Sequence, residues 1–179
     1  MRSKFRLLPS ALLIVVSSLA ALPVRGESGP GSTGDTILHA TEAAKVFPAT
    51  VFFRGQSAPV QARNSGGIKF SDGMLLLAAL VDNSGYSTAV QQKYQAYFIT
   101  ETAIDINGHL LPAGAYGVGF VEGHFDVMDI GNHDLFSVTS THDVELKRPT
   151  PLQVIADGAA GKYRLYEGRD YVVISRSLQ

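Results

Sequence analysis

The chain contains no cysteine and no tryptophan. Without cysteine there is no disulfide, no thiol nucleophile, no haem held through thioethers, no iron–sulfur cluster and no zinc site built on thiolates. A bacterial lipoprotein anchor on an N-terminal cysteine is excluded for the same reason. Without tryptophan, the broadest platform for stacking sugar rings is missing. Two carboxylates distant in sequence would still satisfy glycoside hydrolysis, so that chemistry is weakened rather than removed. Charge is sparse as well: charged residues make up 17%, and 15 Lys and Arg face 16 Asp and Glu. Neutralising a phosphate backbone takes a cationic excess, so nucleic acid is not an expected partner. No uninterrupted apolar run approaches the ~20 residues that a membrane-spanning helix needs.

Motifs are equally scarce. There is no G-x-G-x-x-G or Walker loop; Gly117 and Gly119 are a lone pair inside an alternating segment. Gly55-Gln56-Ser57-Ala58-Pro59 lacks the second glycine of a nucleophile elbow and sits between two strand-like runs, so Ser57 is a poor nucleophile candidate. No catalytic residue is assigned from the sequence.

What is present begins with an export signature. Residues 1–6 carry three positive charges and no negative one, and residues 7–22 are almost wholly apolar or small. A basic start followed by a short apolar stretch is the pattern of a secretory signal peptide. Small residues permit cleavage after Ala20 or after Gly26, and the second is preferred because a Gly-rich polar stretch follows it. The expected organisation is a signal peptide over 1–26, a flexible linker over 27–35 and a single β-rich domain over 36–179. Residues 1–26 hold Arg2, Lys4, Arg6 and Arg25 and no acid, so their removal leaves 11 basic against 16 acidic residues, a net of −5. The expectation is an exported protein, periplasmic or extracellular, with no membrane span in its mature chain. Its roughly 150 mature residues are enough to bury about 68–70% of the unfolded surface without disulfides.

Hydrophobic residues make up 45%, and mean hydropathy is +0.10. Asp35 or Thr36 is suited to cap a short helix carrying Ile37, Leu38, Ala40, Ala43, Ala44 and Val46, which Pro48 ends. Beyond it the pattern is one of short strands. Residues 50–54 are β-branched and aromatic, residues 64–67 read as a turn, and residues 74–81 are eight apolar residues in a row, read as a fully buried strand. Asn107-Gly108 is the strongest hairpin signal. Tyr116, Val118 and Phe120 alternate with Gly117 and Gly119, and residues 167–170 turn between two strands to form a C-terminal hairpin. About 8–10 short strands at regular spacing predict an all-β domain, a single antiparallel β-sandwich or small barrel, with a short N-terminal helix after the signal peptide.

The segment Ile104-Asp105-Ile106-Asn107-Gly108-His109-Leu110-Leu111-Pro112-Ala113-Gly114-Ala115-Tyr116 resembles a pattern of exported bacterial β-modules, a Gly turn and then Leu-Pro-Ala-Gly-x-Tyr opening a strand. Together with TVFFRGQSAP, YQAYFITE, LPAGAYGVGF and GKYRLYEGRDY, the chain is similar to an uncharacterised family of exported bacterial β-domains. That resemblance implies export and a β-fold, and it brings no activity and no site residue. Pro112-x-Gly114 before a strand also occurs in cupins, but the position three residues after that glycine, where a cupin has a histidine, holds Gly117.

The densest polar cluster is His124, Asp126, Asp129, His133, Asp134, His142 and Asp143. In a strand His124 and Asp126 share a face, and a hairpin would return His133 towards them. Imidazole with carboxylate suits zinc, iron(II) or manganese, so His124, Asp126 and His133 are the candidate ligands of a divalent metal, although no H-x-H or H-E-x-x-H spacing supports them. The first functional expectation is a binding or structural module without a cofactor, for a protein, envelope or small-molecule partner. The alternative is a metal-binding protein or metal-dependent enzyme. Gly117 and Gly119 suggest close approach of another group, a ligand or a core aromatic such as Phe52, Phe98 or Tyr97. Tyr163, Tyr166 and Tyr171 read as cross-strand packing or a recognition patch.

Overall fold

A computed structural model describes residues 34–177. The expected signal segment and most of the linker lie outside the described residues. In chain order the elements are β1 (Thr36–Leu38), α1 (Ala40–Val46), β2 (Thr50–Phe53), β3 (Gln56–Lys69), β4 (Leu75–Val81), α2 (Thr88–Lys93), β5 (Ala96–Thr100), β6 (Ile104–Ile106), β7 (His109–Leu111), β8 (Gly114–Val121), β9 (His124–Asp129), β10 (Asp134–Thr139), β11 (Thr141–His142), β12 (Thr150–Ala156), β13 (Lys162–Gly168) and β14 (Asp170–Arg176). The larger sheet runs β1-β3-β4-β5-β8-β9-β10, with β2 paired to β3; the smaller runs β12-β13-β14-β6-β7, with β11 beside β14. This is an all-β antiparallel sandwich, with more strands than the pattern predicts.

The sheets face each other across one core. Ile68, Leu76, Phe98, Tyr116, Val118, Phe125 and Val127 of the larger sheet meet Leu152, Val154, Leu165, Val172 and Ile174 of the smaller. A second core covers the outer face of the larger sheet. There Leu77, Ala79, Val81, Tyr97 and Met128 meet Ala43 and Phe47 at α1, Val51 and Phe53 of β2, and Val90 of α2. The apolar run at 74–81 follows from this arrangement: β4 is buried on both faces, so neither set of alternate positions turns polar.

Two glycines of β8 set the spacing of that outer layer. A Cβ on Gly117 would sit 2.8 Å from Phe53 Cζ and 3.0 Å from Tyr94 Cδ2, and one on Gly119 would sit 3.0 Å from the carbonyl carbon of Lys93. The aromatics that approach are therefore Phe53 and Tyr94, stacked with centroids 3.8 Å apart, rather than Phe52, Phe98 or Tyr97. The last carbonyl of α2, that of Lys93, occupies the space beside Gly119.

Two local expectations are corrected. Thr36 does not cap a helix; it pairs with Lys69 in β1, and helical backbone begins at Ala40 with no side-chain cap. Residues 64–67 are not a turn but part of β3, whose register against β4 shifts between Val60 and Ser65. Ser65 Oγ donates to the Ala62 carbonyl at 2.6 Å and Asn64 Nδ2 to Gln61 Oε1 at 2.8 Å, satisfying polar groups within the irregular stretch. Gly67 has no room for a side chain, because its Cβ would run into the backbone carbonyl oxygen of Leu76 on the neighbouring strand.

The Asn107-Gly108 turn joins β6 to β7 with φ of 48° and 90°, as a type I′ turn requires. Asn107 does more than turn the chain. Its Oδ1 accepts from the Val173 amide in the smaller sheet at 2.9 Å, and its Nδ2 donates to the Thr139 carbonyl in the larger sheet at 2.9 Å. Nearby, His109 stacks on Phe136 at 5.2 Å between the two edges. Asn107→Gly keeps a residue that tolerates positive φ but deletes this clip, and should lower unfolding free energy by about 1–3 kcal/mol, two hydrogen bonds' worth. Gly117→Ala should cost about 1–3 kcal/mol by overpacking against Phe53. Urea unfolding of both variants measures these losses; a wild-type midpoint for either contradicts the corresponding packing.

Candidate functional site

The residues singled out as metal ligands are dispersed along one hairpin. His124 opens β9 beside Val121 and Thr139, and its Nδ1 lies 3.2 Å from the Glu122 carbonyl. Asp126 shares its face, as strand alternation requires, and lies beside a small cavity with Lys93, Asp134 and Phe136. There Lys93 Nζ pairs with Asp134 at 2.8 Å, and that hydrogen bond raises the lysine above its ordinary pKa. His133 lies in the turn beyond the far end of β9, with Nδ1 2.9 Å from Asp129 Oδ2. Asp129 also accepts the amides of Gly131 and His133, and the backbone bond from His133 is the main reason its carboxyl is held low. The structure thus couples His133 to Asp129, Asp126 to the Lys93–Asp134 pair, and His124 to neither. Among the described residues no three His, Asp or Glu side chains converge as a metal-ligating group.

Ser57 lies in β3 opposite Phe52, a strand-to-strand setting that offers it no helix and no adjacent base. The three C-terminal tyrosines pack. Tyr163 donates to Asp35 at 2.7 Å, Tyr166 is buried with its hydroxyl donating to Asp143 at 2.7 Å, and Tyr171 lies 4.9 Å from the Tyr166 ring. Arg164 covers Tyr171 at 4.6 Å and binds Asp157 at 2.6 Å.

The C-terminal hairpin gathers several charged groups. Arg169 Nη1 donates to the carbonyls of Asp143, Val144 and Leu146, tying the loop after β11 to the hairpin turn. His142 Nδ1 lies 2.7 Å from Asp170 Oδ1, and Asp170 pairs across the turn with Glu167. Glu167 follows Tyr163 and Leu165 on the core face, so its carboxyl is half-buried at the end of the sandwich. That burial, reinforced by Asp170, pushes its pKa up to about 7. A carboxyl poised there has the protonation behaviour of a general acid or base. The groups around it, however, are committed to holding the loop.

A different surface offers open space. Strands β3 and β12 come together at Gly66, where a Cβ would stand 3.4 Å from the Val154 amide nitrogen. Beside that approach lies a cleft of about 260 Å³, lined by Leu38, His39, Arg63, Asn64, Thr150 and Gln153 among others. β12 is the edge of its sheet, and its register shifts between Thr150 and Leu152, around Pro151. Nothing in the residue types announces the cleft; it depends on the β3 register shift, which the sequence disguises as a turn.

The raised carboxyl has a measurable signature. Unfolded, Glu167 releases its proton near 4.3; folded, it holds the proton to about 7. Between those values the folded state binds more protons, so the stabilisation is fully present below the unfolded pKa and is lost as pH rises to 7. From pH 5 to 8 this group should cost about 1–3 kcal/mol, allowing for its partial exposure. Glu167→Gln should flatten the dependence, read from urea unfolding at pH 5, 6, 7 and 8. An unchanged slope in the variant would show that the carboxyl titrates normally.

No family model, curated protein or solved structure matches the chain.

Proposed function

We propose that this chain is an exported binding module. In this reading residues 1–26 direct export, the Gly-rich stretch that follows is a tether, and the β-sandwich presents a recognition surface to a protein, envelope or small-molecule partner in the periplasm or medium. The export half is supported by the basic start and short apolar stretch of the sequence. The binding half is carried by one observation, the open cleft between β3 and β12. Its walls are strands anchored in the main core, so the surface is preorganised, and its lining mixes apolar side chains with a few polar groups, as ligand sites do. The polar networks elsewhere, at the C-terminal hairpin and the Lys93–Asp134 pair, hold the chain's own loops and edges.

A fragment screen followed by amide shifts in labelled protein tests the binding half. Hits should move the amides of residues 63–66 and 150–154, apart from the prolyl position. Hits confined to the cavity beside Lys93 and Asp134 would overturn the assignment. For the export half, mass spectrometry of the secreted protein should find a start at Glu27 or Ala21, and an intact Met1 on the exported form would contradict it.

A further inference from the structure

Of the twelve residues lining the β3–β12 cleft, none is Asp or Glu, although residues 34–177 carry fifteen acids against eleven Lys and Arg. The cleft is thus an acid-free spot on an acidic domain. Most polar side chains in its walls are already engaged. Ser65 donates to the Ala62 carbonyl, Asn64 to Gln61, Thr150 to the Leu152 carbonyl at 3.3 Å and Gln153 to the Arg148 carbonyl at 3.5 Å. Arg63 differs: its guanidinium has no hydrogen bond, ion pair or ring contact with any described residue. The His39 imidazole stands at the same rim, with Glu42 as its electrostatic neighbour. Lys147 and Arg148 occupy the exposed loop that leads into Thr150. The apolar part of the wall comes from Leu38, Ala40, Pro151, Leu152 and Val154.

We infer that the cleft binds a small monocarboxylate with a compact apolar body, its carboxylate received by Arg63 and its body laid against Leu38, Pro151 and Leu152. This inference rests on the cleft being the recognition surface and adds the chemical class of its ligand. A guanidinium presents two parallel N–H donors that match a carboxylate, and a charge-assisted bidentate pair is about twice as strong as a neutral hydrogen bond. A volume of about 260 Å³ suits a single ring or a short chain rather than a polymer. The surrounding acids disfavour a multiply charged anion, because each added negative charge is repelled by the domain as a whole. An apolar wall likewise favours an organic acid over inorganic phosphate.

The test uses the purified protein, with benzoate as probe and benzamide and inorganic phosphate as controls, followed by amide shifts and by the Arg63 Nε–Hε signal. Benzoate should give saturable shifts at Arg63, Ser65, Gly66 and Val154, with benzamide and phosphate at least tenfold weaker. Arg63→Gln should weaken benzoate at least tenfold while the melting temperature stays at the wild-type value, since the side chain is exposed. Arg54→Gln, on the β2–β3 turn, should bind as wild type. Equal binding of benzamide and benzoate at the cleft, or wild-type affinity in Arg63→Gln, would overturn the carboxylate assignment while leaving the cleft a binding surface. Silence of the cleft amides towards all three probes overturns the carboxylate assignment too. The fragment screen, which draws on other chemistries, then decides separately whether the cleft binds anything.

Discussion

The larger sheet is covered on both faces, and the rest of the structure is arranged around that constraint. One face meets the smaller sheet; the other meets α1, α2 and the β2–β3 hairpin. A sheet packed on two sides has no solvent face on which to place alternate polar residues, so β4 and β5 are nearly continuous apolar runs. It must also admit the outer layer at close range. β8 does so by giving up its outward side chains at Gly117 and Gly119, which lets Phe53, Tyr94 and the end of α2 come down onto the backbone. The weakness of glycine in a strand interior, where it offers no side chain to pack, is offset here by the aromatic surface it allows to be buried.

Closure of the sandwich along its sides uses polar chemistry at one margin and leaves the other open. At the β7–β10 margin, Asn107 bonds both sheets and His109 stacks on Phe136. At the opposite margin β3 shifts register and approaches β12 at Gly66. The strands part beside that contact, and the cleft with Arg63 lies there. Sheet edges are sites of unwanted pairing unless interrupted. Here the irregularity of β12 around Pro151 interrupts the edge and shapes the cleft wall together.

Most of the titratable side chains that attract attention in the sequence are occupied with architecture. Asp143 accepts from the Tyr166 hydroxyl, the chief reason its carboxyl is held low, and Arg169 gathers three carbonyls of one loop. His133 and Asp129 order a turn. Within the β3–β12 cleft the uncommitted charge is Arg63, in a segment whose Asn-Ser-Gly-Gly composition draws the eye to backbone flexibility rather than to its cation.

Local pattern was enough for the fold class, the Asn107-Gly108 turn, the C-terminal hairpin, the buried strand at 75–81, one residue shorter than the apolar run, and the shared face of His124 and Asp126. Each of these is local, set by positive φ, by period-two alternation or by the length of an apolar run. Tertiary structure alone decided what no local pattern encodes. It placed His133 with Asp129 instead of with His124, turned residues 64–67 from an apparent turn into a shifted stretch of β3, and set Phe53 and Tyr94 on Gly117. It also raised the pKa of Glu167 by burying it at the end of the sandwich. These outcomes depend on which strands become neighbours and at what register. That choice is made by fitting two apolar faces of one sheet to partners far away in the chain, and such partners leave no mark at short sequence separation.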